Sequence, residues 1–265
     1  MEFVNEIKSR RKIDQRIMAS WPLPMMAFKP IMEIGIGIGK DNINFAQLMT
    51  RFPHPVSPLT YIKRVKIPLR PDVAPQGLKV DEQTGILKAE WVHYNGFFKK
   101  VKEDPNDPGF VHPDERYASS AIHPKRVILY AHGGIYCLCS PAIYRGYSWR
   151  LSKYAQSRVL VIDYRLAPQS QYPAQLHDML SAYMYLIDPP KGQLRYRPDQ
   201  VVFSGDSAGG NVSVAACLWL RDSKKGYPQP AGMVLSSPWV RFELIIDCSV
   251  GCFPFLAILQ SQRKP

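Results

Sequence analysis

Residues Val201–Gly210, VVFSGDSAGG, decide the fold. Val201, Val202 and Phe203 form a short apolar run that stops abruptly at Gly205, which reads as a buried strand. Asn211–Leu220 carries small and apolar residues at helical spacing, so a helix follows the turn. Gly205-Asp206-Ser207-Ala208-Gly209 lies between them as G-x-S-x-G. A strand turning sharply into a helix leaves no room for a Cβ two residues either side of the serine. Such a turn lifts the Ser207 hydroxyl out of the sheet and aims the helix N-terminus at it.

Arg126–Gly134, RVILYAHGG, has the same logic: an apolar strand, then His132-Gly133-Gly134. Consecutive glycines after a strand let backbone N–H groups face a cavity without obstruction. With the N–H of Ala208, those of Gly133 and Gly134 are expected to form an oxyanion hole. These stretches, with Asp163-Tyr164-Arg165-Leu166-Ala167-Pro168 and Ser237-Pro238-Trp239, occur in one order across about 128–240. The chain thereby resembles the hormone-sensitive-lipase-like branch of the α/β-hydrolases. The resemblance implies a serine carboxylic-ester hydrolase with Ser207 as nucleophile. His132, Gly205, Asp206, Gly209 and Gly210 would support it, with no metal and no organic cofactor. The expected substrate is a small apolar ester.

The expected fold is α/β, a doubly wound, mostly parallel sheet of the α/β-hydrolase type, incomplete after a strand at 231–236. Strands are predicted at 85–94, 126–131, 159–163 and 201–203, and helices at 141–156 and from Pro173 to about 187. Residues 1–80 are expected to be a cap-like and linker region, 81–240 the partial core, and 241–265 a divergent tail. Tyr144, Trp149, Leu151 and Tyr154 should face the sheet. Asp178 should pair with Arg165 in a structural role.

With 265 residues, 46% of them hydrophobic, the chain can bury one sizeable core. The net charge is +12, and residues 1–70 hold 12 Lys/Arg against 5 Asp/Glu. No basic stripe interleaved with aromatics appears there, so the region reads as a solvated face, not a nucleic-acid site. Five irregularly spaced cysteines argue against a disulfide framework, and neither Cys137-x-Cys139 nor Cys248-x₃-Cys252 has histidines at zinc spacing. Gly35–Lys40 lacks the third glycine of a dinucleotide loop and the Ser/Thr of a P-loop. No secretory signal and no membrane-spanning run is visible, so a cytoplasmic location is expected.

One half of the chemistry is missing from the pattern. In this fold the acid and the histidine follow the serine in chain order. All six histidines, His54, His93, His112, His123, His132 and His177, precede Ser207. Asp222, Glu243 and Asp247 follow it in no recognisable context. Ile135 stands where the family carries a third glycine, and Gln169 where it usually carries glutamate. Three readings follow: a serine ester hydrolase whose present chain, lacking the acid and histidine, is inactive or nearly so; a non-catalytic relative that binds a small ligand or protein; or a truncated product of an active parent. An incomplete sheet would also expose a strand edge through which copies could associate.

Overall fold

Val127–Ala131 (β3) is apolar at every position and buried at every position, so it must have a covered face on both sides. The computed structural model describes residues 43–52, 56–76, 78, 85–94, 126–191, 195–223 and 225–240. Two units divide the chain, residues 1–49 and 50–265. Of the first, the described element is α1 (Ile43–Met49), which buries Ala46 and exposes Phe45, Leu48 and Met49.

The second unit contains a six-stranded mixed sheet. Its strands are β1 (Thr60–Pro68), β2 (Ile86–Tyr94), β3, β4 (Arg158–Asp163), β5 (Val201–Asp206) and β6 (Gly232–Ser236), in the order β1-β2-β4-β3-β5-β6. β4, β3, β5 and β6 run parallel; β2 joins that block antiparallel through β4, and β1 pairs antiparallel with β2 at the edge. Three helices cover the faces: α2 (Pro141–Ala155), α3 (Ala174–Ile187) and α4 (Ser207–Asp222). Leu129, Leu160, Ile162 and Phe203 bury one face of the sheet with Met179, Leu180 and Tyr183 of α3 and Val212 and Ala216 of α4. Ile128, Tyr130, Val159 and Val161 bury the other beneath Tyr144, Trp149 and Leu151 of α2. Each large buried side chain contributes roughly 1.5–3 kcal/mol. This is an α/β fold with a mostly parallel sheet, as the alternation of strands and helices predicts.

Two expectations change. The core begins earlier than residue 81, because β1 pairs with β2 along its whole length, from Thr60↔Tyr94 to Pro68↔Ile86. Its sequence, TYIKRVKIP, hides the strand by carrying Lys63, Arg64 and Lys66, charges that suit a sheet edge. Tyr154 is 78% exposed and does not join the packing side of α2.

The Arg165–Asp178 pair forms as predicted, at 2.8 Å, with Asp178 also accepting the Arg165 backbone N–H at 2.7 Å. Among the described residues β6 pairs only with β5, and Met233 and Val234 on it are exposed. Gly35–Lys40, Phe253–Leu259 and the rest of 241–265 lie outside the described residues.

Candidate active site

β5 passes into α4 through Ser207, whose φ of +50° lies in the left-handed region. A non-glycine residue there costs on the order of 1–3 kcal/mol and persists only where its surroundings enforce it. The flanking glycines show the enforcement. A Cβ on Gly205 would stand 2.6 Å from the backbone of Gly209 and 2.7 Å from the carbonyl oxygen of Ala131. A Cβ on Gly209 would overlap that same oxygen and sit 2.6 Å from the His132 carbonyl. On Gly210 it would meet Pro238 at 2.8 Å. The N-terminus of α4 is therefore pressed against the end of β3, where the His132-Gly133-Gly134 loop begins. Ser207 itself is half-buried, and its carbonyl accepts the Trp239 N–H at 2.9 Å.

Asp206 occupies the N-cap position of α4, yet its side chain does not cap the helix. The carboxylate turns instead toward β3 and α2. Oδ1 accepts the Tyr130 hydroxyl at 2.7 Å and the Gly133 N–H at 2.8 Å, and Oδ2 accepts the Tyr144 hydroxyl at 2.8 Å. The first-turn N–H groups of α4 are left without a side-chain acceptor, at the positive end of the helix dipole. Among the described residues, no protein acceptor stands against the N–H of Ala208 or of Gly134. Such N–H groups can hold a negatively charged oxygen.

Gly133 departs from its expected role. Its N–H is engaged by Asp206 and lies 3.2 Å from the Tyr144 hydroxyl, so it is not open to a reacting oxygen. The donor direction was set by a carboxylate whose orientation the sequence does not encode. Beyond it the loop runs left-handed, with φ of +114° at Gly134, +50° at Ile135 and +62° at Tyr136. A β-branched residue at positive φ is an outlier that needs a local cause. Here the turn is closed by Cys137 and Leu138 N–H groups donating to Gly134 O at 3.0 and 2.8 Å. The Tyr136 carbonyl is fixed by the Ala167 N–H at 2.9 Å, and its hydroxyl donates to Asn211 Oδ1 on α4 at 2.5 Å. Asn211 in turn donates to the Trp239 carbonyl at 2.7 Å. Ile135 thus lies in a left-handed turn whose neighbours Gly134, Tyr136, Cys137 and Leu138 are all hydrogen-bonded. Its position in place of the third family glycine was the available signal.

The described histidines are all committed elsewhere. His132 is fully buried, its ring stacked on Tyr164 at 4.3 Å and 20°. Its Nδ1–H donates to the Gly133 carbonyl at 2.7 Å, and among the described residues Nε2 has no hydrogen-bond partner. Burial pushes its pKa down to about 4, so the ring is neutral at pH 7. His93 is buried against Tyr61, its pKa pushed down to about 3 by burial. The register Val92↔Val159 places it near the start of β4, at the end of the parallel strands opposite Ser207. His177 is buried on α3 with Nε2 2.8 Å from the Arg70 carbonyl oxygen. His54, His112, His123, Glu243 and Asp247 lie outside the described residues, and Asp222 is an exposed partner of Arg221 at 2.7 Å. Among the described residues, no three His, Cys, Asp or Glu side chains stand together as a metal site, and no helix is long and apolar enough to cross a membrane.

Residues 128–248 match the family profile described as alpha/beta hydrolase fold. An acetyl-hydrolase of Streptomyces hygroscopicus is 38% identical over 128 residues, 48% of this chain and 40% of that protein. The carboxylesterase/phospholipase LipF of Mycobacterium tuberculosis is 40% identical over 114 residues, 43% of this chain and 28% of that one. Among solved structures, an esterase/lipase from an uncultured bacterium superposes with a TM-score of 0.51 at 27% identity, covering 76% of this chain and 51% of that one. The matches thus cover less than half the length of these curated relatives.

Proposed function

We propose, from the premise that residues 128–248 belong to the alpha/beta hydrolase fold family among esterase and acetyl-hydrolase relatives, that this chain carries the nucleophile half of a serine ester-hydrolase site. Ser207 Oγ attacks the acyl carbonyl of a small apolar ester, and the N–H groups of Ala208 and Gly134 receive the developing oxyanion. Gly133, the third donor expected from the sequence, holds the loop instead of the oxygen. His132, Gly205, Gly209 and Gly210 shape the backbone around the serine. The observation that carries this reading is the left-handed Ser207 at the head of a helix whose first-turn N–H groups its own N-cap residue leaves open.

A serine hydroxyl needs a base to take its proton, and the described histidines are buried or tied to backbone carbonyls. Turnover by this chain is therefore slow, limited to the roughly 10³–10⁴-fold over water that binding and an oxyanion hole supply without the rest of a triad. The test is hydrolysis of p-nitrophenyl acetate by the purified chain and by Ser207→Ala. A slow rate that Ser207→Ala abolishes is expected. A rate unchanged by Ser207→Ala would end the assignment of the nucleophile. A turnover on the order of 10 per second, lost in Ser207→Ala and kept in His132→Ala, would show that a base serves the site. The buried state of His132 also favours a second reading, a non-catalytic relative that binds an ester-like ligand at the same N–H groups.

A further inference from the structure

We propose that Tyr144 and Tyr130, acting through Asp206, are positioning residues for the oxyanion-binding loop. The inference rests on the reading of Ser207 and the Gly134 and Ala208 N–H groups given above. Asp206 precedes Ser207, so its carboxylate is held close to the place where a negative oxygen would form. Left bare, that charge would oppose the oxyanion, because like charges in a partly buried site repel strongly. The two phenols and the Gly133 N–H together give the carboxylate three donors, at 2.7, 2.8 and 2.8 Å. Hydrogen bonds to an ionised carboxylate are about twice as strong as neutral ones.

The same contacts fix the loop. The Tyr144 hydroxyl donates to Asp206 Oδ2 and stands 3.2 Å from the Gly133 nitrogen, so Gly133 is gripped between the two side chains. A Cβ on Gly133 would fall onto the Asp206 carboxylate and 3.1 Å from the Tyr144 hydroxyl, so the two side chains close tightly on that residue. The next peptide, whose N–H belongs to Gly134, is held through its own carbonyl, because Gly133 O accepts His132 Nδ1–H at 2.7 Å. Tyr130 comes from β3 and Tyr144 from α2, and their rings lie 5.8 Å apart. The grip therefore ties a strand, a helix and the head of α4 to one carboxylate. Burial pushes both phenols well above their ordinary pKa, so they remain donors throughout the working pH range.

The experiment uses phenylboronic acid on the full chain. Ser207 Oγ bonds to boron, the boron becomes a tetrahedral anion, and the serine proton leaves to solvent, so the adduct reports the oxyanion site without a histidine. Tyr144→Phe is expected to weaken Ser207-dependent binding about tenfold. Tyr147→Phe, which alters a neighbouring ring 6.5 Å from Tyr144, is expected to leave it unchanged. Amide hydrogen exchange at Gly133 is measured in the same variants. It should speed about tenfold in Tyr144→Phe, and Tyr130→Phe should weaken boronate binding with a smaller change at Gly133. Equal boronate affinity in Tyr144→Phe and Tyr147→Phe would overturn the positioning role. An unchanged Gly133 exchange rate would overturn the grip itself. Boronate binding that Ser207→Ala does not reduce would overturn the reading of Ser207, and with it the oxyanion role of the clasp.

Discussion

The two sides of the candidate site are built by opposite rules. On the serine side, Gly205, Gly209 and Gly210 bring α4 so close to β3 that no side chain fits, and the strain at Ser207 is held by packing. On the histidine side, His132 is present beside the same loop but is sealed in, stacked on Tyr164 and bonded to Gly133. The difference teaches that proximity to a nucleophile does not make a base. A base needs a nitrogen that can reach the hydroxyl and a pKa near the working pH. His132 has a pKa of about 4 and a ring with no exposed edge.

The sharpest way to break the comparison is Gly209→Ala. The new methyl would overlap the Ala131 carbonyl oxygen, so either the elbow opens or the chain unfolds. A loss of more than about 3 kcal/mol in urea unfolding is expected. A stable Gly209→Ala protein would mean that α4 and β3 are not in such close contact.

The next effect follows from the buried histidines. In the unfolded chain each ring titrates near 6.5, and in the folded one His132 and His93 titrate near 4 and 3. The unfolded state therefore binds more protons between those values, and stability rises with pH across that window. The contribution is fully present above pH 6.5 and is lost as pH falls toward 4. For His132 alone it is on the order of 3 kcal/mol, from about 1.4 kcal/mol per pKa unit. Urea unfolding at pH 7, 6, 5 and 4 reads it, and His93→Phe should remove part of the slope. A flat profile would show the rings to be accessible. In the same spirit, Ser207-dependent hydrolysis should show no limb near pH 6.5 arising from His132.

The smallest effect sharpens the comparison from the other direction. Gly146 on α2 has open space where a Cβ would go, so Gly146→Ala should stabilise the protein by about 0.5–1 kcal/mol, as a glycine in a helix interior allows. The sign, opposite to that of Gly209→Ala, is measured by the same urea series. A destabilised Gly146→Ala would mean that α2 packs against something at that position.

The central strands were legible because Val127–Ala131 and Val159–Asp163 are apolar on both faces, a pattern that only a covered sheet satisfies. β1 was not, because Lys63, Arg64 and Lys66 break the apolar run of an edge strand whose partner begins only after an intervening stretch, at Ile86. The elbow was legible from Gly205 and Gly209, since their requirement is steric and local. The role of Gly133 was not, because the direction of its N–H depends on where the Asp206 carboxylate turns, a choice made by Tyr130 and Tyr144 from two other elements. Tyr154 misled for a simpler reason: helical spacing places it one step past the face that Tyr144 and Leu151 share, and it points outward.

The His132–Tyr164 stack also makes the molecule its own reporter. An imidazole held 4.3 Å from a phenol ring at 20° lies in that ring's shielding cone, so its carbon-bound protons should resonate upfield of ordinary histidines. Its Nδ1 proton, buried and bonded to the Gly133 carbonyl, is shut off from solvent and should give a resolved downfield line. The pair of signals belongs to a ring one residue away from the loop that would receive the oxyanion. A one-dimensional proton spectrum of the unliganded protein can therefore tell whether that loop is assembled before any ester is added.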